Sequence, residues 1–311
     1  MSARHEPVLV AEVLRFLAGG PGLYLDATLG EGGHAEALLD AEPGARLLGC
    51  DRDPDAVASA GRRLQRFGDR VTCVHATFRE IPARAAGFGE RPFTGALLDL
   101  GLSSRQIDEP ARGMSFMREG PLDLRMDASR GEPAWQRLAE VTEHDLASAL
   151  TEHGDLPHGR RLARAIIAAA GSGALPTTRA LADLVDRVLG GRPHPRRTAR
   201  VFQAIRTWIN DEAGELMDAL HWLPEVMRPG GVVVTLAYHS GEDRRIKQEL
   251  RGRSQAPSRR VHRLLPQRPP EGPWQELTRS VVVPSDEEIA ANPRARSARL
   301  RAFRRDRKSV V

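Results

Sequence analysis

Short apolar runs alternate with helix-like polar stretches through the first hundred residues, and no other feature constrains the fold as tightly. The apolar runs fall at 23–29, 46–51, 71–78 and 94–100, and each is short enough for a single strand. Ahead of them Val10, Val13, Leu14 and Leu17 recur at helical spacing and predict an opening amphipathic helix. Strands alternating with helices predict an α/β fold with a parallel, doubly wound sheet. In such sheets ligands bind beyond the carboxyl ends of the strands. The residues closing those runs are therefore the ones to read for chemistry: Asp26, Asp51, Phe78 (after His75-Ala-Thr) and Asp99.

From about Asp108 the rhythm changes. Leu146 and Leu150, then Leu162, Ile166 and Ile167, then Leu181, Leu184, Val185 and Val188 predict successive helices without intervening strands, with Thr178 as an N-cap. A long helix is expected over 197–227, leading back to a β-branched strand at 231–238. Further strands are expected near 280–283 and 300–303, and the Pro- and Arg-rich stretch 256–273 reads as an exposed loop. The division is thus 1–107 for the first part of the sheet domain, 108–196 for an all-helical insertion, and 197–311 for the returning part with a basic C-terminus.

Apolar residues make up 41% of the 311 positions, enough for a sizeable core. No run approaches the roughly 20 apolar residues that cross a bilayer. The opening residues carry no signal-peptide pattern, and Cys50 and Cys73 stand in no metal or redox spacing. The expectation is a cytoplasmic protein with no metal site and no membrane association. Net charge is +5, and the segment 294–308 concentrates Arg294, Arg296, Arg299, Arg301, Arg304, Arg305, Arg307 and Lys308 against Asp306 alone. Arginine makes planar bidentate contacts to phosphate, so the segment suits a nucleic-acid backbone; a solvated Arg-rich surface accounts for the same charge. If part of the run is a strand with Leu300 and Phe303 inward, Arg305 and Arg307 are expected to face outward.

The sharpest local signal is Asp26-Ala-Thr-Leu-Gly30-Glu-Gly32-Gly33-His34, directly after a strand and opening a helix. Glycines there let the backbone turn tightly and approach a ligand, and the helix start offers free N–H groups. Eighteen residues past Gly33, Asp51 closes the second strand, where a carboxylate can accept both hydroxyls of a ribose. Nicotinamide and S-adenosylmethionine enzymes share that pair. The glycines follow Gly-x-Gly-Gly and not the Gly-x-Gly-x-x-Gly spacing that fits a pyrophosphate, which favours S-adenosylmethionine. Phe78 lies where a ring can stack on adenine, although ordinary core packing would place it there too.

These and later blocks resemble the bacterial 16S ribosomal RNA cytosine-N4 methyltransferases. The likeness is carried by His5-Glu-Pro-Val-Leu, the glycine turn, Asp51-Arg-Asp-Pro, Asp99-Leu-Gly-Leu-Ser-Ser-Arg-Gln-Ile-Asp108, Arg112-Gly-Met-Ser-Phe and Gly120-Pro-Leu-Asp-Leu-Arg-Met-Asp127. Phe202-Gln-Ala-Ile-Arg206, His239-Ser-Gly-Glu-Asp-Arg and Asn292-Pro-Arg-Ala-Arg-Ser-Ala-Arg-Leu-Arg301 extend it, in order, from about residue 5 to 305. The resemblance implies a class I SAM-dependent methyltransferase fold with an inserted helical domain that recognises RNA. It implies S-adenosylmethionine as cofactor and, as substrate, one cytidine in the decoding region of 16S ribosomal RNA within the small subunit. A second copy of the chain is a candidate partner.

By the same resemblance Gly32, Gly33 and His34 touch the methionine part of the cofactor and Asp51 holds the ribose. Phe78 borders the adenine, and Asp99 and Gln106 form the floor near the sulfonium. The chain departs from the pattern at Met114 and Leu124, where volume is kept, and at His153, Ala213 and Gly241, where it is not. The last three bear on RNA recognition more than on the cofactor.

A cytosine amino nitrogen is a weak nucleophile, so an enzyme helps by positioning it and by accepting its hydrogen bonds. Asp99 is the candidate catalytic residue for that task. Asp123, Arg125 and Asp127 either gate the base or tie their own loop together, and His239 is either a base contact or structural. A catalytically silent RNA-binding or ribosome-assembly factor on the same fold is the alternative; the acids at Asp51 and Asp99 count against it.

Overall fold

The computed structural model describes residues 7–89, 92–157, 159–190, 194–251 and 273–306. The chain divides into two compact units, 1–101 with 215–311, and 102–214.

In chain order the first unit runs α1 (Val10–Leu17), β1 (Gly22–Asp26), α2 (Gly33–Ala41), β2 (Ala45–Asp51), α3 (Pro54–Leu64), β3 (Val71–His75), α4 (Ile81–Ala85) and β4 (Phe93–Asp99). The second unit contains α5 (Ser104–Asp108), α6 (Ala134–Glu140), α7 (Glu143–Gly154), α8 (Gly159–Gly171), α9 (Thr178–Leu189) and α10 (Pro195–Ile209). Helix α11 (Glu212–Val226) returns the chain to the first unit, followed by β5 (Met227–Ala237), α12 (Ser240–Leu250), β6 (Trp274–Glu276), α13 (Asp286–Ala291) and β7 (Arg299–Arg305).

Among the described residues the strands form one sheet in the order β3-β2-β1-β4-β5-β7-β6. Strands β1 to β5 pair in parallel, and β7 is antiparallel to both β5 and β6. Neighbouring strand residues alternate between two apolar layers: Leu25, Leu48 and Leu98 join one, Tyr24, Leu47 and Leu97 the other. A parallel sheet covered on both faces requires apolar residues at successive positions, which is why its strands read as continuous apolar runs. The first layer includes Leu216, Leu220 and Leu223 of α11; the second includes Val13 and Leu17 of α1 and Leu38 of α2.

Five expectations need correction. The helix expected over 197–227 is two helices, broken at Asn210 and Asp211, where Asp211 takes a left-handed φ of 47°. Asn210 accounts for the break: its amide donates to the Leu124 carbonyl at 2.7 Å and accepts the Met126 N–H at 2.8 Å, clamping a loop of its own unit. Helix α10 packs on α6, α7 and α9, so the helical unit ends near 214 and not at 196.

The N-cap of α9 is Thr177, which accepts from Ala180 N at 3.2 Å. Thr178 instead bonds Gly120 and the Arg118 carbonyl.

At the sheet edge, the strand expected near 280–283 is a single bridge from Val282 to Leu300, and the pairing residues are Trp274–Glu276. The loop expected at 256–273 lies outside the described residues except for Pro273.

The basic C-terminal run also reads differently in the fold. Arg301 is buried in a double bond to Asp243 at 2.7 and 3.2 Å and a bond to Glu276 at 3.0 Å. Arg305, expected to face outward, is buried and donates to the Met227 carbonyl, whereas Arg304 is exposed. Strand β7 lies between β5 and β6 with Leu300 and Ala302 in one apolar layer and Phe303 in the other, so Arg301 and Arg305 are drawn inside, where carboxylates and a carbonyl meet them. Arg307 and Lys308 lie outside the described residues.

Candidate active site

Strand order reverses direction between β1 and β4, and that switch point is where an α/β sheet opens a crevice at its carboxyl end. Four residues of the first unit converge there: Asp26 closing β1, Asp51 closing β2, Asp99 closing β4, and His34 in the first turn of α2.

The glycine turn supplies the framework. Gly32 caps α2 with φ 79°, no side chain caps the helix, and a Cβ at Gly32 would come within 3.2–3.3 Å of Leu64 and Ala60 of α3. A side chain is therefore excluded twice, by backbone conformation and by the neighbouring helix. Gly33 is closed in by Pro7, 2.9 Å from where its Cβ would be. The uncapped start of α2 leaves its first N–H groups without intrahelical partners.

Asp51 is gripped by backbone. Gly30 N donates to Oδ2 at 2.7 Å and Asp53 N to Oδ1 at 2.8 Å, which fixes the carboxyl rotamer and leaves the remaining lone pairs for a ligand. Burial pushes its pKa up to about 6 despite those two bonds. Asp26 accepts from Thr28 N at 3.1 Å, and burial raises it to about 7. Thr28 Oγ1 in turn accepts the Asp99 N–H at 2.6 Å, tying the ends of β1 and β4 together.

Asp99 Oδ1 accepts from the Tyr238 hydroxyl at 2.9 Å, and Oδ2 lies 3.5 Å from His34 Nδ1. Burial raises Asp99 to about 7; the Tyr238 bond works against that and the Glu242 charge adds to it. His34 Nε2 faces the Val8 carbonyl at 2.9 Å, and a carbonyl can only accept. That nitrogen therefore carries the proton. Burial lowers the His34 pKa, so the ring is neutral and its Nδ1 lone pair faces Asp99.

Phe78 begins a one-turn helix after β3 and packs against the first apolar layer. Its turn is anchored on α11: Trp222 Nε1 donates to the Phe78 carbonyl at 3.1 Å, and Arg79 N donates to Glu215 at 3.1 Å. Gln106 belongs to the helical unit. It is buried in a capping box at the start of α5, with Oε1 accepting from Ser103 N at 3.0 Å. His239 caps α12: Nδ1 faces Gly241 N at 3.2 Å and Glu242 N at 3.4 Å, with Nε2 3.1 Å from Glu242. A Cβ at Gly241 would lie 3.1 Å from that ring. In the helical unit Arg125 grips Asp123 at 2.7 and 2.8 Å, and Asp127 binds Ser129 and faces Arg130 at 3.3 Å, so this loop is tied by its own polar groups.

Sequence reasoning named Asp26 among the strand-end residues but gave it no role in the site, and it missed Tyr238 and Glu242. Asp26 carried the signal of the other two acids, a carboxylate closing a strand, but was absorbed into the glycine motif. Tyr238 carried none until the register of β5 on β4 was known.

The chain matches the MraW methylase family over residues 2–306. It belongs to that family. It is 44% identical over 307 residues to a ribosomal RNA small subunit methyltransferase H of Sorangium cellulosum, covering 97% of this chain and 91% of that protein. It is 43% identical to the protein of the same name from Anaeromyxobacter sp. strain K, covering 96% and 97%. Among solved structures it is similar to a SAM-dependent O-methyltransferase of Thermotoga maritima at 10% identity and a TM-score of 0.41, covering 100% of this chain and 70% of that one.

The fold is the class I SAM-dependent methyltransferase fold, the enzyme is a methyltransferase, and its methyl donor is S-adenosylmethionine. The donor set suits that group: burial raises the strand-end acids Asp26, Asp51 and Asp99, and a ligand that carries a sulfonium and an ammonium would draw them into their charged forms. Among the described residues no cluster of side chains could hold a metal ion, and no helix is long and apolar enough to cross a membrane.

Proposed function

We propose that this methyltransferase modifies the N4 amine of one cytidine in the decoding region of 16S ribosomal RNA, presented in the small subunit. The observation that carries the reading is Asp99: a partly buried carboxyl at the end of β4, fixed on one oxygen by Tyr238. A hydrogen-bond acceptor of that kind suits an amine whose nitrogen becomes cationic as it reacts. The names of the relatives support a ribosomal RNA substrate.

In this reading Asp51 receives the ribose hydroxyls, Gly32, Gly33 and His34 border the methionine portion, and Phe78 borders the adenine. Asp99 forms the floor near the sulfonium. When bound, S-adenosylmethionine supplies a methyl carbon whose bond to sulfur breaks as the bond to N4 forms, leaving a neutral thioether. Asp99 accepts an N4–H bond beforehand and takes the departing proton afterwards. A base inside a helix cannot reach such a crevice, so the target is an unstacked nucleotide. The helical unit and the exposed arginines of β7 grip the RNA.

The test is incubation with radiolabelled S-adenosylmethionine and unmodified small subunits, followed by nucleoside analysis of the RNA. Label recovered as N4-methylcytidine at one decoding-region position is the expected result. Label on another base or on protein overturns the reading.

A further inference from the structure

The Asp99 carboxyl is met from four elements. His34 approaches from α2, Asp26 stands at the end of β1, Tyr238 follows β5, and Glu242 comes from α12. These neighbours are not equivalent. Asp26 and Glu242 are acids, and a negative neighbour disfavours a carboxylate. Neutral His34 offers a lone pair and no proton, since its N–H is committed to the Val8 carbonyl. Among these side chains only the Tyr238 phenol donates to the carboxylate form.

The position of that phenol is built into the fold. Asp99 stands opposite Leu236 in the parallel pairing of β4 and β5, so Tyr238 comes two residues beyond its register partner. Glu242 Oε2 accepts the Tyr238 N–H at 2.8 Å and the His239 N–H at 3.3 Å, which holds the backbone where β5 gives way to α12. The ring lies on Gly101, where a Cβ would sit 3.2 Å away and where φ is 102°. Burial and the Asp99 charge push the Tyr238 pKa up, so the phenol keeps its proton and stays a donor.

We propose that Tyr238 is a positioning residue of methyl transfer, its phenol holding the Asp99 carboxyl in the orientation and charge state that accept the amine proton. The inference rests on the reading of Asp99 as that acceptor. It assigns no contact between Tyr238 and the RNA. With the phenol bonded to Oδ1, Oδ2 remains on the side of His34, and the proton taken from N4 can be shared with the Nδ1 lone pair.

The sign of the effect follows from the bond. Removing a donor that favours the carboxylate raises the Asp99 pKa further above its already elevated value near 7. Activity that needs the carboxylate is then lost over a pH range in which the unaltered enzyme keeps it. One hydrogen bond to a charged group corresponds to a shift of roughly 1–2 pH units.

Tyr238→Phe keeps the ring against Gly101 and removes only the hydroxyl. The first measurement uses ligand-free protein: a carboxyl carbon NMR titration of Asp99, with midpoint expected to rise by roughly 1–2 units in the variant. The second is the pH profile of single-turnover methylation of small subunits at saturating S-adenosylmethionine. Its acid limb should move upward by the same amount, giving a roughly 10- to 100-fold rate loss below the limb and recovery toward the unaltered rate above it. Cofactor affinity measured above the shifted midpoint, where Asp99 is charged in both proteins, should not change. Coincident NMR midpoints and superimposable profiles overturn the proposal, and so does a rate loss of equal size at every pH.

Asp99→Asn, measured alongside, separates the two layers of the argument. If it slows transfer while Tyr238→Phe leaves both titrations unmoved, only the role of Tyr238 fails. If Asp99→Asn transfers at full rate, the acceptor reading fails and takes the inference with it.

Discussion

The two units use polar side chains in opposite ways. In the sheet unit the charged groups that matter converge on one edge: Asp26, Asp51 and Asp99 close neighbouring strands, and burial holds all three above the ordinary carboxylate range. In the helical unit the comparable groups are spent on the unit itself. Arg125 grips Asp123, Arg206 grips Glu212 at 2.7 and 3.0 Å, and Asn210 clamps the loop at 124–126. Parallel strands all end on the same side, so a residue type placed at strand ends accumulates there into a site. Helices that pack by their apolar stripes have no such common edge, and their polar groups pair where they stand. On this contrast we propose that chemistry belongs to the first unit and surface recognition to the second.

The most severe test of that contrast is Asp99→Asn. The amide keeps the size and loses the charge, so single-turnover transfer should slow by about 100- to 10,000-fold. Cofactor affinity measured by calorimetric titration should fall far less, because Asp51 and the glycine turn remain. A rate loss that saturating cofactor abolishes would make Asp99 a binding residue only.

On the helical side, Asn210→Ala removes buried bonds to Leu124, Met126 and Arg206 and should cost roughly 2–4 kcal/mol of stability in denaturant titration. Affinity for S-adenosylmethionine should be unchanged in the folded variant. If the cofactor site weakens in step with the helical unit, the division of labour is broken.

Asp51→Ala sharpens the comparison from the other side. Loss of a charged acceptor should weaken cofactor binding by roughly 1.5–3 kcal/mol, while small-subunit binding in the absence of cofactor should not change. Unaltered cofactor affinity in a folded variant removes Asp51 from the ribose site.

The smallest effect is expected on β7. Arg304→Gln should flatten the slope of log affinity for RNA against log salt by about 0.7, the contribution of one contact to single-stranded RNA. Arg305→Gln, whose guanidinium is buried against the Met227 carbonyl, should lower stability and leave that slope alone. Equal salt slopes for wild type and Arg304→Gln return this face to ordinary solvated surface.

Much of this was legible before any coordinates. The parallel sheet followed from short apolar runs that alternate with helix-like stretches. Asp51 and Asp99 followed from their places at the ends of those runs, and the glycine turn from its spacing. What failed to show has a common cause. Asn210 ends a helix because its amide finds the backbone of residues 124 and 126, so the apolar periodicity of 197–227 carried no sign of the break. Arg301 and Arg305 belonged to a run that charge alone sent to the surface, yet Asp243, Glu276 and the Met227 carbonyl meet them inside.

The sequence by itself therefore determined the element types, the strand-end acids and the family, because periodicity, turn chemistry and local motifs are properties of neighbours along the chain. Only the tertiary structure decided that Tyr238 and His34 would stand on either side of the Asp99 carboxyl. That meeting depends on the register of β5 against β4 and on α2 starting beside the same edge, distances set by packing between segments 65 and 139 residues apart from Asp99 in the chain. Sequence spacing holds no record of which far segments will meet at one sheet edge, and the neighbours that meet there bear on the protonation of Asp99.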